Sequence, residues 1–419
     1  MNILLANKYF FVNGGTEAYL RILLDELPRL GHACVPFSTA FAGSWPSVYS
    51  RYFLPPPVDP KSPRLEHMRL TPRTMLTLLD RSIYSFTARK CLSRLLDEVK
   101  IDVALALNIY NYMSPSIFHE LAKRSIPIAM QIGDYHLMCL SYQFLRDNRP
   151  CFLCQKGCYL HGLRHRCVKQ SLAASGVRAL AMYVQRWLKI WDRVDLFLVP
   201  CRFMAQAMTQ AGFAPQRIQV MPYPVRVPPQ DSLPAKGEYI LSFGRVSREK
   251  GLDVLIKAYQ LAAPKEDLVI LGRDYDGERA RLQALIAAPF RDRVHFRDFT
   301  TGPELSALIG GALLSVVPSR WPDNAPLSVY ESLAHATPVA GAAMGGIPEQ
   351  IRAGLDGVLF NPDDSQDLAD KLKDCLADRP RLRQWGLAGR ERMASEHDPG
   401  RHAAQMADVL AGLGKPLKP

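Results

Sequence analysis

The chain has 419 residues, of which 48% are hydrophobic and 22% charged. That balance excludes a mostly disordered chain, a collagen-like repeat or a coiled coil, and the length suits two or three domains of ~100–200 residues. The net charge of +12 is uneven: residues 143–202 carry 11 Lys or Arg and 3 Asp, a net of +8. Such a patch suits a phosphate-bearing substrate, an acidic membrane surface or nucleic acid, or is simply a solvated basic face.

Uncharged apolar runs stay well short of the ~20 residues that a membrane helix needs. Met1-Asn2-Ile3-Leu4-Leu5-Ala6-Asn7-Lys8 lacks the layout of a secretory leader and is predicted as a first buried strand at 2–7. A glycine turn follows at Asn13-Gly14-Gly15-Thr16, and Ala18, Leu20, Leu23, Leu24 and Leu27 then repeat at helical spacing. Gly31-His32 ends that helix and Cys34-Val35-Pro36-Phe37 begins a second strand, the opening of a doubly wound α/β domain. Leu54 to Pro57, with Pro60 and Pro63, predicts an irregular excursion before helix over about 74–99. Further buried strands are expected at 101–107, 127–132 and 195–200, with helix over about 172–192 between the last two. Residues 138–170 interrupt the pattern with cysteines and basic residues.

Prolines 222, 224, 228, 229 and 234 mark a linker over 222–235. The strand–helix rhythm then restarts, with strands at 239–243, 267–271, 293–296, 312–318 and 338–341 and helices at 251–262, 277–287, 303–310 and 327–335. The reading is an α/β chain of two tandem domains. One spans 1–222 and carries the Cys-rich basic insert 138–170, the other spans 236–395, and a terminal helix and tail cover 396–419. Ligands bind such folds in the domain cleft, at the carboxyl ends of strands.

Three motifs stand at such strand ends. Gly244-Arg245-Val246-Ser247-Arg248-Glu249-Lys250-Gly251 runs from a strand into a helix start. Its Arg245 and Lys250 suit a diphosphate. In Pro318-Ser319-Arg320-Trp321-Pro322-Asp323-Asn324-Ala325-Pro326-Leu327-Ser328-Val329-Tyr330-Glu331, a loop carboxylate and a helix carboxylate would bracket a polyol whose phosphates sit on the helix N-terminus. Gly345-Gly346-Ile347-Pro348-Glu349 follows another strand.

Together these motifs resemble the family-4 retaining glycosyltransferases, which have the GT-B fold of two Rossmann-like domains facing across a cleft. The resemblance covers nearly the whole chain. Gly14-Gly15-Thr16-Glu17 matches that family's Gly-Gly-x-Glu loop. Arg245 and Glu249-Lys250-Gly251 match its Arg…Glu-Lys-Gly element, and Asp323…Glu331 matches its Glu-x7-Glu motif with Asp in the first place. The resemblance implies a nucleotide-sugar donor, UDP- or GDP-linked, and a glycan or polyprenyl-linked acceptor. It implies that Arg245 and Lys250 neutralise the leaving diphosphate, so that no catalytic metal is required. Glu331 would bind the ribose hydroxyls and Asp323 the donor sugar. Asn324 and the backbone from Ala325 to Ser328, Leu327 included, would meet sugar and phosphates, while Gly15 would admit the diphosphate close to the backbone. Relatives usually carry His where this chain has Leu105 and Leu107, ahead of Asn108, and often read His-Asp-Tyr where it has Gly133-Asp134-Tyr135-His136. Asp134 or His136 is therefore the expected substitute at the catalytic centre.

The insert reads Cys151-x2-Cys154-x3-Cys158-x8-Cys167, with Cys139, His161 and His165 nearby. A subset of bacterial polysaccharide glycosyltransferases resembles this segment. A structural zinc on Cys151, Cys154, Cys158 and Cys167 fits the spacing, with free thiols or disulfides as the alternatives. Over 177–193 the chain mixes Arg178, Arg186, Lys189 and Arg193 with Trp187 and Trp191. That mixture suits peripheral attachment to an anionic membrane at the cytoplasmic side, or a surface helix with a core stripe. A non-catalytic relative and a basic nucleic-acid or anion-binding protein are the rival readings. Recognised nucleic-acid motifs are missing, so nucleic acid is not an expected partner.

Overall fold

A computed structural model describes residues 1–57, 72–110, 112–275 and 277–413, with the side chains of 72–75 excepted. The predicted excursion at Pro60 and Pro63 and the last residues of the tail lie outside them.

The first half supplies β1 (Asn2–Ala6), β2 (Ala33–Phe37), β3 (Val103–Ala106), β4 (Ile128–Gln131), β5 (Leu145–Arg146), β6 (Arg149–Pro150), β7 (Leu196–Val199) and β8 (Ile218–Val220). Its helices are α1 (Gly15–Glu26), α2 (Pro72–Ile83), α3 (Phe86–Glu98), α4 (Ile117–Lys123), α5 (Leu160–Arg164), α6 (Leu172–Trp187) and α7 (Arg202–Gln210). Six strands form one parallel sheet in the order β2-β1-β3-β4-β7-β8, while β5 and β6 make a separate short hairpin. Strands β3, β4 and β7 are buried along their whole length, which is why they are continuous apolar runs rather than alternating ones.

The second half repeats the plan with β9 (Tyr239–Phe243), β10 (Asp267–Leu271), β11 (Val294–Arg297), β12 (Leu314–Val317), β13 (Val339–Ala342) and β14 (Gly357–Phe360). Helices α8 (Leu252–Ala262), α9 (Glu278–Gln283), α10 (Gly302–Gly311), α11 (Leu327–Ala334), α12 (Ile347–Gln350), α13 (Ser365–Ala377) and α14 (Arg379–Glu396) accompany them, and α15 (Pro399–Leu413) follows. The parallel sheet order is β11-β10-β9-β12-β13-β14.

Several expectations shift. The helix expected over 74–99 is two helices, because Ser85 caps a fresh start: its Oγ accepts from Ala88 N. The helix expected to 192 stops at Trp187, and Lys189 adopts a positive φ before a short 3-10 turn. The terminal helix α15 returns to the first sheet. Its Ala403, Met406, Ala407 and Leu410 join one apolar cluster with Ile3, Leu5, Leu23 and Leu105, and His402 Nε2 lies 2.8 Å from Tyr19 Oη.

In each sheet the strand order reverses beside the first strand, between β1 and β3 and between β9 and β12. The loops leaving those strands face the crevice where such folds take ligands. Two contacts lock the halves together nearby. Tyr135 Oη donates to Pro322 O at 2.5 Å, and Asn324 Nδ2 donates to Gly133 O at 2.6 Å. A third anchor is Glu349, whose carboxylate accepts from the first amides of α7, Arg202 N and Phe203 N, both at 2.8 Å. It acts as a helix cap supplied by the opposite domain. Glu349→Ala is therefore expected to lower the thermal midpoint by the equivalent of roughly 1–2 kcal/mol. An unchanged midpoint would remove Glu349 from the interdomain tie.

Candidate active site in the interdomain cleft

The loop after β9 makes a tight turn whose hinge is Gly251, at φ +68. A Cβ there would sit 2.0 Å from Pro318 O, so only glycine lets the Arg245–Lys250 loop lie against the loop after β12. Gly346 serves the same purpose on the other side, where a Cβ would fall 1.8 Å from Asn324 O. The three strand-end motifs of the sequence are thus one packed unit around 318–326. Arg320, buried within it, pairs with Asp253 at 3.0 Å and Asp363 at 2.9 Å and fixes the loop from beneath.

Lys250 and Asp323, 73 residues apart, meet here: Nζ lies 2.5 Å from Oδ2. Ser319 Oγ adds a hydrogen bond to the same oxygen at 3.2 Å. The ammonium also lies 5.5 Å from the centre of the Trp321 ring. Arg245 pairs with Glu249 at 3.1 Å, and Ser247 Oγ holds Glu249 at 2.8 Å. Gly244, Arg245, Lys250, Ser319 and Ser328 line one pocket, so the expected diphosphate cations and the first turn of α11 converge. The first amides of a helix lack the intrahelical acceptors of later turns, which leaves the start of α11 suited to an anion.

Glu331 lies one turn further along α11, in a neighbouring cavity of about 350 Å³. That cavity is lined from both halves, by Tyr19, Tyr223, Leu305, Leu327 and His335 among others. Among the described residues, its carboxylate has no hydrogen-bond or ion-pair partner; desolvation alone pushes its pKa up to about 7. Gly15 abuts the same region, since a Cβ on it would lie 2.9 Å from Leu327 Cδ1. Asn324 is committed elsewhere: its amide nitrogen holds Gly133 O, and its oxygen accepts from Ala325 N at 2.8 Å. Its side chain is a domain tie in this arrangement. Glu17 of the Gly-Gly-x-Glu loop is buried and accepts from Asn7 Nδ2 at 3.1 Å, which gives it a local structural bond.

On the other wall, Asp134 Oδ1 lies 2.6 Å from His136 Nδ1 and accepts from His136 N at 3.0 Å. The imidazole is held flat between two phenol rings, Tyr110 at 4.3 Å and 4° and Tyr142 at 4.7 Å and 2°. Burial lowers the His136 pKa despite its carboxylate neighbour. Burial alone would raise the Asp134 carboxyl, but His136 and its bonds hold it below the ordinary value. A neutral imidazole that donates from Nδ1 keeps Nε2 as an acceptor. Arg178 Nη2 fastens His136 O at 2.7 Å from behind. Leu105 and Leu107, at the places where relatives usually carry His, are fully buried core.

Sequence reasoning missed Lys8, Tyr110, Tyr142 and Arg178. Lys8 follows β1 at the reversal point, close enough to Glu17 and Asp134 that both favour its charge, although burial lowers its pKa overall. A cation directly after a buried strand was a usable signal. The tyrosine stack had none, because Tyr142 reaches His136 through a loop at φ +56.

The expected zinc set is not assembled. Among the described residues there is no group of three or more His, Cys, Asp or Glu able to hold a metal ion, and all nine cysteines are free thiols. Cys158 is exposed before α5, while Cys154 is buried with Leu140, Tyr159, Ala179 and Met182, and Cys167 packs against that cluster. Desolvation pushes the thiols of Cys154 and Cys167 up to about 12 and about 11.

Two Rossmann-like sheets facing across this cleft define the GT-B fold, which is shared by solved structures of low sequence identity. Sucrose-phosphate synthase from Thermosynechococcus elongatus superposes with a TM-score of 0.68 at 19% identity, over 98% of each chain. The Anabaena protein HepE in complex with UDP superposes with a TM-score of 0.66 at 16% identity, over 98% of this chain and 100% of its own. Residues 227–392, which hold the Arg245–Lys250 loop and the 318–331 segment, match the family model of glycosyl transferases group 1. The chain is also 29% identical over 206 residues to alpha-maltose-1-phosphate synthase of Mycolicibacterium smegmatis, a match covering 45% of this chain and 52% of that protein. The chain thus spans about half the length of that curated relative.

Proposed function

We propose that this chain is a glycosyltransferase of the hexosyl type. It would move a sugar from a UDP- or GDP-linked donor to a glycan or polyprenyl-linked acceptor, with retention at the anomeric carbon, at the cytoplasmic face of the cell membrane. The observation that carries the reading is the unpartnered Glu331 carboxylate in a two-domain cavity, one helical turn from the pocket of Arg245, Lys250 and Ser328. A nucleoside diphosphate matches that layout, with ribose hydroxyls on Glu331 and phosphates on the cations and the start of α11. These groups also suit a departing diphosphate, so a catalytic metal is not part of the reading. Asp323, beside Lys250, and His136, with Nε2 free to accept, would face the sugar. The similarity to proteins named for phosphosugar products, and to one solved with UDP, supports the same class. A role in building a surface polysaccharide rests on the resemblance of the Cys-rich insert alone.

Calorimetric titration with UDP-glucose, UDP-N-acetylglucosamine and GDP-mannose tests it. At least one should bind, and Glu331→Ala should weaken that one. Failure of all three would sink the reading. Asp134→Asn is expected to cut turnover of the donor that binds at least tenfold, the lower end of losses on disabling a positioned proton-exchanging group, with donor affinity retained. Because the amide can donate to Nδ1, it favours the imidazole tautomer that no longer accepts at Nε2. Equal loss of affinity and turnover would make Asp134 a binding or folding residue instead.

A further inference from the structure

Helix α6 is built inside out. Its buried arc carries Ser175, Arg178 and Gln185 beside Ala179 and Met182, and each polar member bonds to backbone outside the helix. Arg178 reaches His136 O, and Gln185 Nε2 reaches Ser82 O at 3.2 Å. Its outward arc, at helical spacing, is Ala173, Val177, Leu180, Val184 and Trp187, all exposed or half-buried and none charged. Leu180 is 53% exposed and Trp187 80%. A surface helix normally presents the opposite pattern. Neighbouring helices extend the apolar surface, with exposed Leu160 on α5 and exposed Leu76 on α2, both of which pack beside α6.

Cations frame this face. Arg164, Arg166 and Lys169 precede α6, and Lys189 and Arg193 follow it. All five are exposed, and none forms an ion pair with a described residue, whereas most basic side chains on the second domain's α9 and α14 are paired. Unneutralised charge beside exposed apolar surface is costly for a free monomer to maintain and fits a partner that is apolar within and anionic at its rim.

We infer that the outward face of α6, with Leu160 and Leu76 beside it, docks on an anionic lipid bilayer. Leu180, Val184 and Trp187 would enter the headgroup boundary, and the framing cations would meet the lipid phosphates. Among the described residues, no helix is long and apolar enough to cross a membrane, so this attachment is peripheral. It differs from the attachment expected from sequence: Arg178 points into the protein, and Trp191 packs against the core beside Phe118. It deepens the proposed use of a lipid-linked acceptor but is tested without any nucleotide sugar, so either can fail alone.

The experiment is co-sedimentation of the full chain with phosphatidylcholine vesicles containing about a third phosphatidylglycerol. The Trp187 emission is followed in parallel. Binding at low salt with a blue shift is expected, as is release near 0.5 M salt, where the Debye length is about 4–5 Å. Trp187→Phe should keep sedimentation and lose most of the shift. A Leu180→Glu and Trp187→Glu double variant should lose sedimentation at least tenfold while its thermal midpoint is unchanged. Three results overturn the proposal: no sedimentation at low salt, equal sedimentation with pure phosphatidylcholine, or a vesicle-free dimer that the double variant splits.

Discussion

Affinity for a nucleotide sugar is expected to rise roughly tenfold between about pH 6 and pH 8, and Glu331→Gln should abolish that rise. The free carboxyl titrates at about 7 because burial disfavours its charge and no partner compensates. Ribose hydroxyls donate, so they favour the ionised form and lower its pKa in the complex. Binding then releases a proton below neutrality. A nucleotide sugar is the right probe because its diphosphate is esterified at both ends and keeps its charge across this range. The same group has an opposite signature in the free protein. Its folded pKa lies above the unfolded value, so the stability it contributes is greatest in acid and is lost as pH rises from about 4.5 to about 7. Glu331→Gln should consequently be more stable than the parent at pH 8, by about 3 kcal/mol, although it binds donor worse. A flat affinity profile in the parent protein would remove Glu331 from the ribose site.

The second large effect belongs to Lys250. Lys250→Ala should weaken donor binding by ~1.5–3 kcal/mol, the range for a hydrogen bond to a charged group, or roughly 10- to 150-fold. It should also destabilise the protein by roughly 1–3 kcal/mol, because it strands the buried Asp323 carboxylate with only Ser319 Oγ beside it. The two losses separate in a double variant. Lys250→Ala with Asp323→Asn removes the stranded charge, so stability should return while donor binding does not. Recovery of both would mean that Lys250 serves Asp323 alone and never meets a phosphate.

The motifs were legible where chemistry must sit at the end of a buried strand. Glycines such as Gly251 and Gly346 and the charges of Arg245, Lys250 and Glu331 punctuate long apolar runs, and the doubly wound plan places those punctuations together. The pairing of Lys250 with Asp323 was not legible, because strand order, not spacing, brings β9 and β12 side by side. Helix α6 misled for a related reason. Reading charge as outward fails when a long side chain such as Arg178 has a carbonyl to reach inside. The cysteine spacing suggested chelation; its packing was not legible, since the turn before α5 leaves Cys158 exposed while Cys154 and Cys167 sit in an apolar cluster.

The return of α15 to the first sheet means that the backbone passes between the halves twice, once near Tyr223 and once near His397. The two passages are stitched together: Val225 N donates to His397 O at 2.9 Å, and His397 Nδ1 donates to Tyr223 O at 2.9 Å. A single tether would leave the two bodies free to twist and slide, whereas two bonded tethers act as a door pin that leaves one rotation soft. Opening of the cleft is thus confined to a swing about the Tyr223–His397 seam. The glutamate and asparagine ties at Glu349 and Asn324 lie off that axis and must be released before the door moves.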